Sequence, residues 1–367
     1  MSCTRRRFVK SALGITGAGL LTSWPLPISG AEKAAPANGA HANTEPVPYY
    51  LKEYESAYRK DPRAAAIRWF VDARFGLFVH YGLMSLSPGG KARPLPSGIT
   101  LTDLARRFTA EKFDAGALAD LAVAAKMRYI NFSAYHGGGP YMFRSQVAHP
   151  TSLELPAKRD LVGELAEACR KRGLGLFLYV HVSITRSNAE SLARNHAILR
   201  EWLTQYGPVA GLWFDTVADY YDHPEYHPKL LETYAMIRSL QPQCLISYCH
   251  GATGEEDFLA TEHSLRPPAQ NSQLTAEAKR KLAAKPVEIC TTLQLDQKDG
   301  KGTKMWFDVQ GAYHRSADEV WALLANARRD KANLLLNAGL RGDGSVHPDD
   351  EKTLREIGRR LNQQPLS

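Results

Sequence analysis

Several apolar runs in this sequence end in an aspartate, histidine or tyrosine, and these are side chains that can do chemistry. The run GLWF over residues 211–214 is followed by Asp215. A carboxylate at the end of so apolar a segment is costly to bury unless it is paired or functional. Other runs end in polar groups at His80, Tyr135, His136, Tyr179, His181, Tyr248 and His250. This recurrence favours a shared site over the alternative, a lone aspartate that caps a turn.

A carboxylate surrounded by His, Tyr and Trp side chains suits a sugar ligand, since aromatic faces pack on C–H surfaces and imidazoles hydrogen-bond to hydroxyl groups. Hydrolysis of a glycosidic bond normally uses two carboxyl groups that flank the bond. We therefore expect a second acid near Asp215, on the loop after the fourth or fifth strand. The segment Gly251–Leu265 offers Glu255, Glu256, Asp257 and Glu262. Residue type alone does not choose among these four acids.

Strands and helices must bring these groups together. Eight nearly all-apolar runs are typical of parallel strands buried on both faces, and they cover Phe75–Gly82, Tyr129–His136, Leu174–Ser183, Ala210–Thr216, Cys244–His250, Val287–Leu293, Met305–Val309 and Ala332–Asn337. Amphipathic patterns predict helices between them, over Ala115–Lys126, Asp160–Arg172, Leu192–Tyr206, Pro228–Leu240, Thr275–Lys285, Ser316–Arg329 and Asp350–Leu361.

This alternation predicts an α/β fold, a (β/α)8 TIM-like barrel with some irregular or missing helices. We expect a single catalytic domain over residues 61–367. The alternative is an open doubly wound sheet, but no Gly-rich phosphate loop follows the first strand. In a barrel the polar groups at the strand ends would meet on one face, where active sites of this fold lie.

The N-terminus carries an export signal. The segment TRRRFVK at residues 4–10 fits the twin-arginine pattern, and a short apolar stretch with a candidate cleavage site at 29–31 follows it. Glycine and proline residues in that stretch argue against a membrane anchor. We expect a signal peptide over 1–31, a leader or linker over 32–60, and a periplasmic or secreted mature protein.

Composition excludes several other classes of protein. The 367 residues include 46 Lys and Arg and 38 Asp and Glu, a net charge of +8, and four of the basic residues lie in the predicted signal, which leaves the mature chain at +4. Basic runs interleaved with aromatic residues are absent, which argues against nucleic acid. No later apolar stretch reaches the about eighteen residues of a membrane span. No Cys or His cluster predicts a metal site, and no organic cofactor is implied.

Disulfide bonding and oligomeric state stay open at this point. The cysteines of the expected mature chain are Cys169, Cys244, Cys249 and Cys290. Their spacings specify no disulfide framework, although an oxidising compartment would permit pairing.

Five motifs occur in a recognisable order. They are WFVDARFGLFVHYG at 69–82, FTAEKFD at 108–114, LWFD at 212–215, DFLATE at 257–262, and NLLLN at 333–337 followed by GDG at 342–344. Together they resemble glycoside hydrolase family 29, the α-L-fucosidase family, from its opening W-x-x-x-x-F-G-x-F-x-H-W-G to its closing N-L-L-L-N. The ordered set covers roughly residues 65 to 363.

The resemblance implies an exo-acting, retaining α-L-glycosidase, with fucosyl residues at the ends of glycans or polysaccharides as the expected substrate. Asp215 would be the nucleophile of the double displacement. His80, His136 and Tyr179 match positions that hold sugar hydroxyls, and Trp213 precedes the nucleophile as in the family. We also expect Tyr81, Tyr135, His181 and His250 to contact the sugar.

The same resemblance ranks the candidates for the general acid/base. Asp257 and Glu262 match family acids near the fifth strand, and we rank Asp257 first, Glu262 second and Glu256 third. Glu288 resembles a glutamate of a later family segment. Because it begins its predicted strand, it should face the barrel floor, away from the site.

Three departures from the family pattern stand out. The second strand usually ends K-H-H-D-G-F in the family, whereas this chain has YHGGGP at 135–140. Tyr81 replaces the tryptophan of H-W-G, and only MWF at 305–307 stands near the usual W-G-Y. Two alternatives therefore stay open: an enzyme for another L-sugar, such as L-galactose or a modified fucose, and a sugar-binding barrel without turnover.

Overall fold

Short apolar runs form the strands of the structure, a computed structural model that describes residues 46–91, 94–181, 189–215, 227–297 and 302–366. In the described residues the strands are β1 (Phe75–His80), β2 (Tyr129–Tyr135), β3 (Gly175–Val180), β4 (Gly211–Phe214), β5 (Leu245–Tyr248), β6 (Leu259–Glu262), β7 (Val287–Thr292), β8 (Gln294–Leu295), β9 (Lys304–Met305), β10 (Tyr313–His314) and β11 (Ala332–Gly339).

Eight of these strands form one parallel sheet in the order β5-β4-β3-β2-β1-β11-β7-β6. A bridge between Cys249 and Ala260 joins the two outer strands, and the Asp257 amide donates to the Ile246 carbonyl at 2.7 Å. The sheet therefore closes on itself, and the predicted TIM-like barrel is confirmed. Its carboxyl ends meet on one face, the expected place for a site.

One predicted barrel strand is wrong. Residues 305–309 do not form the seventh strand, because Lys304–Met305 pairs with the short β8 in a separate antiparallel sheet of three strands. The missing barrel strand is Leu259–Glu262, which has four residues and too little apolar length to be recognised. The apolar character of 305–309 has another cause, since Met305, Phe307 and Val309 are buried against the mouth of the barrel.

In the described ranges, helices cover the outside of the sheet, seven of them at the predicted places and three, before Ala115, that the sequence did not predict. Their bounds are Glu55–Lys60, Pro62–Ala73, Leu101–Arg106, Ala115–Ala124, Leu161–Arg172, Ala189–Gln205, His227–Leu240, Ala276–Ala283, Ala317–Arg329 and Pro348–Gln363, with short 3-10 turns at Tyr49–Tyr54, Leu83–Leu86 and Pro268–Gln270. Asp160 caps its helix by accepting from the Gly163 amide, and Ser316 forms a capping box with Glu319. These local signals agree with the sequence prediction.

The segment Tyr49–Lys60, which the sequence placed in the leader, is helical and packs on the barrel. Tyr50, Leu51 and Tyr58 are buried in the same apolar cluster as Trp69. Burial of these side chains explains why the segment folds despite its weak helical pattern. The predicted signal and the leader up to residue 45 lie outside the described residues.

The described part of the chain also shows the state of the cysteines and the character of the helices. All four cysteines are buried there, and no disulfide joins them. No helix in this part of the chain has both the length and the apolar content to cross a bilayer.

Candidate active site

A cavity of about 340 Å³ opens at the carboxyl ends of the barrel strands. This volume lies within the roughly 300–1,000 Å³ of small-molecule sites. The side chains that line it come from the ends of five barrel strands and from two loops, and they are Phe78, His80, Lys91, His136, Tyr179, Trp213, Asp215, Glu262, Thr303, Lys304, Met305, Trp306, Phe307 and Val309. Aromatic and imidazole rings dominate the lining, with two carboxyl groups and two ammonium groups among them.

Asp215 follows β4 directly and is held in line with the neighbouring strand. Its amide donates to the Val180 carbonyl at 3.1 Å, and the Tyr179 hydroxyl donates to its Oδ2. Burial and the charge of Asp215 raise the pKa of Tyr179 well above its ordinary value. The phenol therefore stays protonated, and it orients the carboxylate while one carboxylate oxygen keeps lone pairs for other contacts.

Glu262 is the last residue of β6 and lines the same cavity. Burial, together with the nearby charge of Asp215, raises its pKa to about 7, and Arg266 opposes the shift. A carboxyl group with this pKa holds its proton in weakly acidic solution. In this cavity Asp215 is oriented by a hydrogen bond, whereas Glu262 holds a proton. Acid/base chemistry needs this division of roles.

His80 presents a hydrogen-bond acceptor to the cavity. Asn337 directs its amide nitrogen to the Trp306 carbonyl at 2.9 Å, so its oxygen faces the His80 Nδ1 at 2.7 Å. Nδ1 then carries the proton, and Nε2 is free of it. Burial lowers the pKa of His80 to about 4, so a neutral imidazole can accept from a sugar hydroxyl.

His136 lies between His80, Tyr179 and His181 at the end of β2. Its ring centroid is 5.5 Å from each of the first two rings and 4.9 Å from that of His181. Burial, the Lys91 charge and the two other imidazoles lower its pKa well below the ordinary value. His80, His136 and the Tyr179 phenol are therefore uncharged at neutral pH.

The wall made by Trp306 and Phe307 is held by polar side chains from the ends of β7 and β11. Thr292 donates to the Met305 carbonyl at 2.6 Å, and Asn337 donates to the Trp306 carbonyl. The Phe307 ring then lies 4.9 Å from His136. This wall supplies the indole face that the sequence did not locate.

The floor of the cavity rests on Glu288. Trp213 donates its indole N–H to Glu288 at 3.0 Å, and Tyr129 donates its hydroxyl to the same carboxyl group at 2.6 Å. Burial raises the pKa of Glu288 to about 7, against the two hydrogen bonds that lower it. The prediction that Glu288 faces the barrel interior, outside the site, agrees with its place beneath Trp213.

The structure places two of the ranked acids elsewhere, so that part of the ranking is wrong. Asp257 stands two residues before β6, accepts from the Ile246 amide at 2.8 Å and pairs with Arg63 at 2.5 Å. Glu256 accepts from the Tyr234 hydroxyl at 2.9 Å and from the Gly254 amide at 2.8 Å. Both carboxylates are buried structural groups with complete partners, and neither lines the cavity.

Four predicted sugar-binding residues lie outside the cavity lining. One of them, His181, lies beside His136 with the ring centroids 4.9 Å apart. Tyr81 packs between Phe108 and Phe113 on the outer face of β1. Tyr135 stacks on Tyr141 at 4.1 Å. His250 follows β5 with a φ of 64°, and its pKa is lowered by burial and by Arg266. Tyr81 and Tyr135 alternate with the inward-facing His80 and His136, because neighbouring strand residues point to opposite faces.

A profile of the family described as Alpha-L-fucosidase matches residues 47–364. The chain belongs to the α-L-fucosidase family. The resemblance drawn from the ordered motifs is thereby confirmed, and the family contains glycoside hydrolases.

Two relatives from the α-L-fucosidase family match this chain over different lengths. A putative alpha-L-fucosidase of Caenorhabditis elegans is 25% identical over 332 residues, which are 80% of this chain and 64% of that protein. The tissue alpha-L-fucosidase of Rattus norvegicus is 35% identical over 132 residues, 30% of this chain and 29% of that protein. This chain therefore spans less than two thirds of either relative.

A solved member of the α-L-fucosidase family shares the fold. Alpha-L-fucosidase isoenzyme 1 from Paenibacillus thiaminolyticus superimposes with a TM-score of 0.65 at 24% identity, over 83% of this chain and 76% of that one. The barrel of the present chain is thus the family's fold.

Sequence reasoning missed the cavity residues that come from loops, above all Lys91, Lys304 and Trp306. The signal for Lys91 was the pair Gly89-Gly90 before it. Gly90 has a φ of 53°, and a side chain there would lie 3.0 Å from Val309. Glycine thus lets the loop after β1 lie against the 308–309 segment, and the next residue enters the cavity.

Proposed function

We propose that this member of the family is a retaining, exo-acting α-L-glycosidase that releases terminal α-L-fucosyl residues. The observation that carries the proposal is the presence of Asp215 and Glu262 in one cavity at the carboxyl-end face of the barrel. Glycosidases of this type need one ionised carboxylate and one protonated carboxyl group.

In the first chemical step, Asp215 attacks the anomeric carbon and the bond to the leaving oxygen breaks. Glu262 gives its proton to that oxygen, and a β-linked glycosyl-enzyme forms. In the second step, Glu262 takes a proton from water, which attacks the same carbon and restores the α configuration. The Tyr179 hydrogen bond to Asp215 orients the nucleophile for the first step, and it favours the departing carboxylate in the second.

The rings around the two acids are suited to hold a sugar. Nε2 of His80 accepts from a hydroxyl, because Asn337 fixes the proton on Nδ1. Trp306 and Phe307 offer apolar faces to the C–H side of the ring. Neutral imidazoles add no positive charge beside the anomeric carbon, where the transition state is already positive.

The hydrolysis of 4-nitrophenyl α-L-fucoside by the mature protein tests this function. Asp215→Asn should lower kcat on the order of 10³-fold or more, since the amide cannot form the glycosyl-enzyme. Asp318→Asn, a change of the same kind on an exposed helix surface, should leave kcat unchanged.

The first product formed discriminates between mechanisms. Nuclear magnetic resonance of fresh hydrolysate should show α-L-fucose before mutarotation. A β product would exclude retention, and full turnover by Asp215→Asn would exclude the assigned nucleophile. Calorimetric binding of fucose without hydrolysis of any glycoside would favour the sugar-binding barrel.

We also infer that the chain is exported in folded form through a twin-arginine signal. The support is the segment TRRRFVK at residues 4–10 and the short apolar stretch after it. Export would place the enzyme beside extracellular or periplasmic glycans.

A further inference from the structure

The cavity contains two lysines that the proposed hydrolysis of a neutral sugar does not require. Lys91 comes from the loop after β1, and its Nζ lies 3.5 Å from both ring nitrogens of His136. The residue is exposed along its stem, while its ammonium group reaches into the cavity. Burial of that group lowers its pKa, whereas the charge of Asp215 raises it.

Lys304 comes from the segment that also carries Trp306 and Phe307, at the start of β9. It lines the cavity beside Thr303, and its charge helps to lower the pKa of His263 after burial has done so. Within the described ranges, neither Lys91 nor Lys304 has a carboxylate at ion-pair distance. The nearest anionic groups that share their cavity are the two catalytic acids.

The charges of these groups do not balance in the chemical steps. While Glu262 holds its proton, the lining of the cavity carries two lysines and one ionised carboxylate, Asp215. Asp215 loses its charge when it bonds to the sugar, and both ammonium groups are then left unmatched. Positive charge that develops at the anomeric carbon would also be repelled by them. A neutral substrate leaves this excess in place, whereas a substrate with a negative substituent cancels it.

We propose that this cavity selects an α-L-fucoside that carries a sulfate ester on a ring hydroxyl, held by Lys91 and Lys304. Lysine acts as a compact point charge with three rotatable donors, which suits a tetrahedral oxyanion. Planar carboxylates are more often bound by the bidentate fork of arginine, and Arg266, the arginine whose charge reaches this site, is exposed and outside the lining. Thr303 lines the cavity beside Lys304.

This inference rests on the proposed function, and the sulfate preference can be measured separately from it. The substrates are 4-nitrophenyl α-L-fucoside, its 2-, 3- and 4-O-sulfates, and the corresponding α-L-galacturonide, which carries a carboxylate instead. One sulfate should exceed the unsulfated glycoside in kcat/KM by about tenfold or more, the gain expected of charge-assisted contacts. Higher ionic strength should reduce that ratio.

Lysine variants show whether the preference comes from these two ammonium groups. Lys91→Met and Lys304→Met keep the length of the stem and remove the charge, and each should lower the ratio of sulfated to unsulfated kcat/KM by roughly tenfold. Lys352→Met, on the exposed surface of the last helix, should leave both kcat/KM values and their ratio unchanged. Lys91→Arg should retain part of the preference.

The outcomes separate the inference from the function. Faster hydrolysis of the unsulfated glycoside than of every sulfate would overturn the sulfate preference and leave the glycosidase intact. Preference for the galacturonide would overturn the choice of sulfate. If no glycoside is cleaved, the proposed function fails. Calorimetry with L-fucose and its monosulfates then tests the inference by itself. The inference is overturned if none of the monosulfates binds more tightly than L-fucose. The inference is also overturned if the ratio of sulfated to unsulfated kcat/KM is unchanged in both lysine variants.

Discussion

Glu262 shows how one residue obtains its reactivity from its surroundings. It ends β6 in a buried position, and the charge of Asp215 adds to the effect of burial, so its pKa is raised to about 7. A group with a raised pKa is protonated below that value and loses its proton as the pH rises through it. The proposed acid is therefore ready to donate in weakly acidic solution.

We expect kcat/KM for a fucoside with a poor leaving group to fall above about pH 7, as Glu262 loses its proton. In Glu262→Gln this basic limb should disappear, and turnover of that substrate should drop on the order of 10²-fold or more. With 4-nitrophenyl α-L-fucoside as the substrate, azide should restore the release of 4-nitrophenol by this variant and give α-L-fucosyl azide. An unchanged basic limb in the variant would assign the acid to another residue.

At the scale of elements, Asp257 joins the helix Pro62–Ala73 to β5. Its side chain is fully buried, pairs with Arg63 at 2.5 Å and accepts from the Ile246 amide at 2.8 Å. A buried carboxylate that loses its charge leaves its partners unmatched. The residue is thus a tie between secondary structure elements, although the sequence ranked it first as the acid.

Asp257→Asn should lower the free energy of unfolding by roughly 2 kcal/mol. The loss of a fully buried ion pair would cost more, but Arg63 is one-third exposed. Its kcat per folded molecule should stay close to that of the wild type. Glu262→Gln is the matched variant, and we expect the reverse pattern from it. Denaturant titration and kinetics on the same samples measure both, and a loss of kcat in soluble Asp257→Asn would contradict the assignment.

The last helix is tied to the small antiparallel sheet through His314. Its Nδ1 lies 2.7 Å from the buried Asp350 carboxylate, and its ring stacks on His347 at 3.8 Å. Burial lowers the pKa of His314. The hydrogen bond and charge of Asp350, together with the charges of Asp308 and Asp349, raise it by more, so the net shift is upward. Gln294 contacts both Asp308 and Asp350 from the sheet.

A raised folded-state pKa means that this tie stabilises the protein fully below the ordinary histidine pKa, and that its contribution is lost as the pH rises through the folded value. His314→Gln should therefore destabilise on the order of 1 kcal/mol more at about pH 5.5 than at about pH 9. His149→Gln is the control, because His149 pairs with Glu154 on an exposed surface and should matter little at either pH. Equal destabilisation at both pH values would contradict the role of His314.

At the scale of the whole molecule, barrel closure and the proposed export depend on different segments of the chain. The bridge between Cys249 and Ala260 brings Glu262 to the same face as Asp215, whereas the proposed signal precedes the described residues. Export can therefore be changed without touching the barrel.

Replacement of Arg5 and Arg6 by Lys should abolish export and leave active enzyme in the cytoplasm, because the twin-arginine pathway recognises that pair. Arg7→Lys, just outside the pair, is the control and should still be exported. Cell fractionation with the fucoside assay measures both. Normal export of the double variant would reject the twin-arginine signal.

Residue patterns along the chain were sufficient for those parts of the site that strands carry. His80, His136, Tyr179 and Asp215 end long apolar runs, and the strand period alone predicts that such ends meet on one face of a barrel. The helices followed for the same reason, since caps and apolar periodicity act within a few residues of each other.

Only the tertiary structure decided which acid accompanies Asp215 and what else enters the cavity. Glu262 lies in a strand of four residues that forms through pairing with β7, a partner distant in sequence, and Asp257 turns away because Arg63 and a backbone amide bind it. Lys91 and Trp306 come from loops whose paths depend on contacts across the barrel mouth. Local sequence determines which segments are buried, whereas contacts between distant segments determine where each loop side chain points.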